Sequence, residues 1–291
     1  MAKGMSLYLM AAIGLKGGVE VNSAGFTPDL IVAALAGLAL SCLIPIGAFF
    51  ALRSFGRLDA VNASAVAAHY GSVSVVTFVT GAEFLTTNGM GAAGYMVAVL
   101  ALMETPAIIV GLFLASRYGD KSKGSAHQTR GELLHETLLN GSVVLLTGSF
   151  LIGLIAGKDG FAPIAPVFET GFRGILCLFL LDMGLVAARR LREAKSLTLR
   201  LTVLAIIFPI VNGMIGASLG ALVGLDAGST AALAILAASA SYIAVPAAMR
   251  LALPQADSGL YLTMSLAVTF PFNIIFGIPF YTYLATTFAQ G

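Results

Sequence analysis

Two clusters of hydroxyl side chains in apolar surroundings hold the most chemical information in this sequence: Gly71-Ser72-Val73-Ser74-Val75-Val76-Thr77 and Ala238-Ser239-Ala240-Ser241-Tyr242. Serine and threonine oxygens, with backbone carbonyls freed from a helix, suit a hard cation such as sodium, while freed backbone N–H groups suit an anion. In hydrocarbon each unmet backbone group is costly, so a helix is interrupted only where protein or a water-filled cavity covers the break. Gly71 and Pro246 supply helix-breaking character at the two clusters. If both segments unwind and cross, half-helix N-termini bring positive dipole ends to the midplane and hold an anion without a fixed positive charge. Ser72, Ser74, Thr77, Ser239 and Ser241 are therefore the candidate substrate ligands. Ser and Thr in membrane helices more often bond back to their own helix, and recurrence of the pattern is what favours a site.

Ionisable groups at membrane depth cost roughly 2.5–3.5 kcal/mol on insertion scales, so they face a partner or a polar path. Glu104 lies mid-run, directly before Thr105-Pro106, and Glu104 with Thr105 forms the candidate sodium site. A hydrogen-bonded structural carboxyl is the open alternative for Glu104. Asp182, in Leu-Leu-Asp-Met-Gly-Leu, is a weaker candidate of the same kind. Glu83 is expected near the outer surface as a solvated carboxylate, and His69 as a packed or interfacial imidazole rather than a proton relay. His69, His127 and His135 show no metal-ligand spacing, and neither a phosphate loop nor a nucleophile elbow is present. The expectation is a non-enzyme with no catalytic residue, no cofactor and no metal beyond sodium as coupling ion.

The elements that must position these residues follow from composition. Of 291 residues 58% are hydrophobic and 10% charged, against about 25% charged in a soluble domain, too few to cover a water-exposed surface. Net charge is +2, and Cys42 and Cys177 both lie in apolar runs; nucleic-acid binding, disorder and a disulfide scaffold are excluded. A crossing needs about 20 apolar residues, and nine runs qualify: 5–21, 28–52, 61–80, 93–116, 137–157, 170–188, 199–223, 229–249 and 260–287. Alternating strands are missing, so the fold is all-α and polytopic rather than a barrel. Thirteen Lys and Arg fall in loops on one side and only Lys16, Lys158 and Arg173 on the other, which places the N-terminus in the cytoplasm and the C-terminus outside, in the cytoplasmic (inner) membrane.

Spacing reveals an internal repeat. Gly14-Leu15 recurs as Gly184-Leu185, Pro45-Ile46 as Pro209-Ile210, Ser72-Val73-Ser74 as Ser239-Ala240-Ser241, and Thr105-Pro106 as Phe270-Pro271. Matching spans run in opposite directions, which describes inverted repeats and implies alternating access. The boundaries are 1–117 for the first repeat, 118–136 for a cytoplasmic linker and 137–291 for the second. The second repeat has an extra leading span, so an intact fold has five helices per repeat and the first repeat lacks its leading helix, as if the chain started late.

These residues resemble the sodium-dependent bicarbonate transporter family. The likeness covers nearly the whole chain and rests on Ile13-Gly14-Leu15-Lys16-Gly17-Gly18, Gly71-Ser72-Val73-Ser74 with Thr77, Met103-Glu104-Thr105-Pro106-Ala107, Phe172-Arg173-Gly174-Ile175-Leu176, Pro209-Ile210-Val211 with Gly213, and Ala237-Ala238-Ser239-Ala240-Ser241. The resemblance implies ten helices as two inverted five-helix repeats, sodium-driven symport of bicarbonate, a homotrimer, and a PII-like regulatory protein on the cytoplasmic face. Tyr242 stands where the family's second crossover has an acidic residue, and the linker is short. Two other readings stay open: a sodium- or proton-coupled carrier of another small anion such as a short carboxylate, and a non-transporting membrane sensor or scaffold that binds a cytoplasmic regulator.

Overall fold

The computed structural model describes residues 2–25, 27–119, 141–193 and 197–289. Their regular structure is entirely helical: α1 (Ala2–Ala24), α2 (Pro28–Ser54), α3 (Ala60–Gly71), α4 (Val75–Thr87), α5 (Met96–Met103), α6 (Pro106–Tyr118), α7 (Gly141–Phe161), α8 (Phe172–Glu193), α9 (Leu199–Leu222), α10 (Ala227–Ala238), α11 (Ala244–Ala252) and α12 (Ser258–Phe288). The linker 118–136 lies, beyond Tyr118 and Gly119, outside the described residues.

Among the described residues seven helices are long and apolar enough to cross a membrane: α2, the consecutive pairs α3–α4 and α5–α6, α7 from Val144, the run Pro166–Arg192 (which takes in all of α8 but its last residue), α9 and α12. The chain is a multi-pass membrane protein. The two runs of the ninefold count not among these seven have evident physical reasons. α1 has the length, at 23 residues, but carries Lys16 and Glu20, and α10 and α11, of 12 and 9 residues, are parted by a longer interruption (239–243) than the one (72–74) between α3 and α4.

Burial sorts the helices into two kinds. α3 and α10 are walled in on every side; Ala63, Ala65, Ala67 and Ala68 in one and Ala231, Ala232, Ala234 and Ala238 in the other have at most 1% of their surface exposed. Alanine permits this closeness at little cost in helix propensity. α2, α7, α8 and α9 present large apolar side chains outward, among them Leu35, Leu43, Ile155, Leu181 and Leu222, the pattern of helices that meet lipid.

Local chemistry ends each inner helix. Asp59 caps α3 by accepting from the N–H groups of Val61 and Asn62, both at 3.0 Å, and Asp226 caps α10 by accepting from Ser229 N–H at 3.0 Å. Gly71 closes α3 where a Cβ would lie 2.4 Å from Pro45 of α2 and 2.9 Å from Ala107 of α6; a larger residue would push those helices off the break. α1 and α7 approach more closely still. A Cβ on Gly18 would meet the Phe150 carbonyl at 2.0 Å, and one on Gly153 the Leu15 carbonyl at 2.2 Å, so both positions bring backbone against backbone. Gly157 breaks α7 with φ 60 and ψ −165, and Asn22 donates at 2.9 Å to the Leu154 carbonyl near that break.

Candidate functional site

Two helices stop in the interior and restart after a short extended stretch. α3 gives way at Ser72 (ψ 162), Ser74 is extended as well (ψ 110), and α4 begins at Val75. α10 gives way at Ser239 (ψ 161), and α11 begins at Ala244. The stretches are tied to each other in both directions: Ser74 N–H donates to Ser239 Oγ at 2.9 Å, and Ser241 N–H donates to the His69 carbonyl at 2.8 Å. Ser72, Ser74, Thr77, Ser239 and Ser241 are all buried there.

Their hydrogen bonds divide the hydroxyls by role. Ser239 donates to the Leu236 carbonyl at 2.8 Å and Ser72 to the Glu104 carbonyl at 3.0 Å, so both protons are committed to protein. Ser74 Oγ accepts from Thr77 N–H at 3.2 Å and Ser241 Oγ from Val245 N–H at 3.4 Å. A hydroxyl that caps a helix as acceptor still has its proton to give, so Ser74 and Ser241 can serve an anion while holding the first turns of α4 and α11.

A proline kink, with helical backbone angles at Glu104 and Thr105, adjoins these two breaks. Pro106, which lacks an N–H, starts α6 after Glu104 and Thr105. The carbonyls just before it find side-chain donors: Ser41 donates to Met103 at 2.8 Å and Ser72 to Glu104 at 3.0 Å, while the Thr105 carbonyl accepts from Ile108 N–H at 3.1 Å. Glu104 is 3% exposed and its Oε2 has no hydrogen-bond partner. A buried carboxyl oxygen left without a donor is where a cation or a proton would be stabilised. Ser72 thus connects the candidate anion ligands to the candidate sodium ligand, and half-buried Thr105 follows Glu104 directly.

Residues not singled out from sequence complete the framework. Asn273, fully buried in α12, donates at 2.9 Å to the carbonyl of Ala238, the last residue of α10, and accepts from Tyr281 at 2.9 Å. Thr269 donates to the Ala205 carbonyl at 2.6 Å and meets Tyr70 at 2.7 Å. A lone Asn two residues after Pro271 in an apolar run was the one available signal, since amides in hydrocarbon need partners.

The other ionisable candidates lie outside this cluster. His69 is fully buried, bonds Ala65 through Nδ1 at 2.7 Å and stacks on Tyr261 with centroids 4.4 Å apart. Asp182 is half-exposed on α8. Glu83 pairs with Arg173 at 2.5 Å, joining α4 to α8. Glu83 also edges a cavity of about 90 Å³ lined by Lys16, Glu20 and Phe172, with Lys16 Nζ 5.9 Å from the Phe172 ring centroid. An adjoining cavity of about 520 Å³ adds Asp29, Lys158 and Asp226. Neither cavity includes the serines at the breaks. Among the described residues no three His, Cys, Asp or Glu side chains gather as a metal site.

In comparison with known proteins, residues 1–286 match the family model of the Na+-dependent bicarbonate transporter superfamily. No curated protein matches the chain.

Proposed function

Because the chain belongs to the Na+-dependent bicarbonate transporter superfamily, we propose that it takes up bicarbonate by sodium-coupled symport across the cytoplasmic membrane, with the substrate held where the broken helices meet. The observation that carries this reading is the tie between the two breaks, Ser74 N–H to Ser239 Oγ and Ser241 N–H to the His69 carbonyl, beside a buried, unpaired Glu104 oxygen. Ser74 and Ser241 offer hydroxyl protons to the anion, with Ser72, Thr77 and Ser239 completing the pocket wall, and Glu104 with Thr105 holds sodium. An anion and a cation bound side by side each offset the other's desolvation, which neither could meet alone in a low-dielectric interior. One-to-one coupling would move no net charge.

Alternating access follows from the inverted-repeat reading, supported by order: α2, α3, α4 and the Pro106 kink recur as α9, α10, α11 and the Pro271 region. On that reading α1 and the α10–α11 pair are crossings too, which gives nine. The N-terminus is then cytoplasmic and the C-terminus outside. The family likeness further supports a homotrimer and a PII-like regulator at the cytoplasmic face, and native mass spectrometry of the detergent-purified protein, alone and with such a regulator, tests both.

The deciding experiment is uptake of labelled bicarbonate into proteoliposomes with and without an inward sodium gradient. Accumulation that follows the gradient supports symport, and equal uptake in both conditions sinks it. Tyr242 at the second break favours one other reading, a carrier of another small anion; competition by formate or acetate in the same assay separates the two.

A further inference from the structure

Three fully or nearly buried tyrosines face the region of the breaks, and one differs from the others. Tyr70 meets Thr269 at 2.7 Å, and Tyr281 donates to Asn273 at 2.9 Å. Tyr242 is 8% exposed, yet its hydroxyl has no hydrogen-bond partner. A buried hydroxyl left unpaired forfeits its hydration without recompense, so its persistence needs a reason. The ring of Tyr242 is fixed edge-on against Phe270, with centroids 5.3 Å apart, and its hydroxyl lies beside the Ser74 side chain without forming a well-aligned bond. Ser74 is already engaged as an acceptor by Thr77 N–H. Two hydroxyl groups therefore lie together at the break between α3 and α4, each able to turn its proton toward a ligand, and Ser241, the residue preceding Tyr242, supplies a third.

We propose that the Tyr242 hydroxyl is a specificity-determining donor to the transported anion, completing with Ser74 and Ser241 a neutral three-donor cradle for a small oxyanion. The inference rests on the substrate position proposed above and deepens it. Neutral donors match an anion by hydrogen bonding alone and add no charge that would have to be carried through the cycle. A carboxylate at this position would repel the anion, whereas a phenol attracts it. Three donors suit a ligand with two or three oxygens on one carbon, which is the chemistry shared by bicarbonate and a short carboxylate.

Tyr242→Phe deletes the hydroxyl and retains the ring against Phe270. Wild type, Tyr242→Phe and, as a control for a partnered buried hydroxyl, Tyr70→Phe are reconstituted as full chains, and the KM values for labelled bicarbonate and for sodium are measured separately. The expected result is a rise of about tenfold in the bicarbonate KM of Tyr242→Phe with its sodium KM and unfolding temperature unchanged. Tyr70→Phe is expected to lower the unfolding temperature and leave both KM values in place. An unchanged bicarbonate KM in Tyr242→Phe, or a parallel rise in both KM values with lost stability, overturns the proposal. Thermal unfolding of the detergent-purified proteins in bicarbonate, formate or acetate keeps this result apart from the bicarbonate reading. If formate or acetate alone raises the wild-type unfolding temperature and Tyr242→Phe loses that rise, the donor role stands and bicarbonate is the wrong anion; if the rise persists in Tyr242→Phe, or if no anion stabilises wild type, the donor role fails.

Discussion

At the scale of single residues, chemistry near the breaks is decided by which polar atoms remain unpaired after the backbone has been satisfied. Ser239 and Ser72 spend their protons on carbonyls, so their truncation should perturb the breaks themselves. Glu104 is different, because its Oε2 is buried without a donor. Glu104→Gln keeps the shape and removes the charge, and it is expected to raise the sodium KM on the order of tenfold, the equivalent of about 1.4 kcal/mol, with a smaller effect on the bicarbonate KM. Separate sodium and bicarbonate titrations of uptake check this; an unaltered sodium KM would assign Glu104 a structural role. The residues of the breaks were readable in the sequence because Ser-Val-Ser and Ser-Ala-Ser, and the acid before Thr-Pro, are local patterns. Asn273, Thr269 and Ser41 were not, because their partners Ala238, Ala205 and Met103 are 35, 64 and 62 positions away and no local spacing encodes such a contact.

At the scale of elements, the inner helices depend on their caps. The carboxyl of Asp59, in the loop between α2 and α3, would be raised by burial, but hydrogen bonds from Asn62 and Val61 outweigh that and hold it below the usual aspartate range. A depressed value in the folded state means that the unfolded chain takes up the proton first as pH falls. The cap's contribution is therefore full above the unfolded value of about 3.9 and is lost as pH drops through the lower folded value. Asp59→Ala is expected to cost about 1 kcal/mol near neutrality, with its unfolding temperature converging on that of wild type in acid; a gap that does not narrow would show that the loss is not of a charged cap. Interruptions were legible from Gly71 and Pro106, whereas the Asp59 cap was not singled out from sequence. The length of the interruptions was not legible either, since Gly and Pro mark where a helix stops and tertiary hydrogen bonds decide where the next one starts.

At the scale of the whole molecule, two enclosed alanine-rich helices sit within longer ones that turn leucine and isoleucine outward. Charge placement along the chain predicts a cytoplasmic N-terminus and an external C-terminus. A single cysteine added at the C-terminus, in a chain with Cys42 and Cys177 replaced by serine, should react with an impermeant maleimide applied to intact cells; labelling only after the membrane is opened would reverse the orientation. All-helical, membrane-spanning character was legible because lipid forces backbone groups to pair within a segment. α1 is the instructive exception: it is long enough to cross, yet Lys16 and Glu20 set it apart from the seven, and both line the cavity edged by Glu83. Its charges are explained by that cavity, which no local pattern could reveal.

Like the turn Pro166–Thr170 before α8, α12 is wound more loosely than a regular α-helix in two places, Thr263–Thr269 and Asn273–Gly277, on either side of Phe270-Pro271-Phe272. Each wide turn holds a residue more than the tighter winding needs, so tightening the first would rotate everything after it by about 100°. Asn273 would then swing off the Ala238 carbonyl and release the end of α10. The hold on the second break is thus geared to the rotational register of a different helix, and a change of winding in one is mechanically a change of grip on the other.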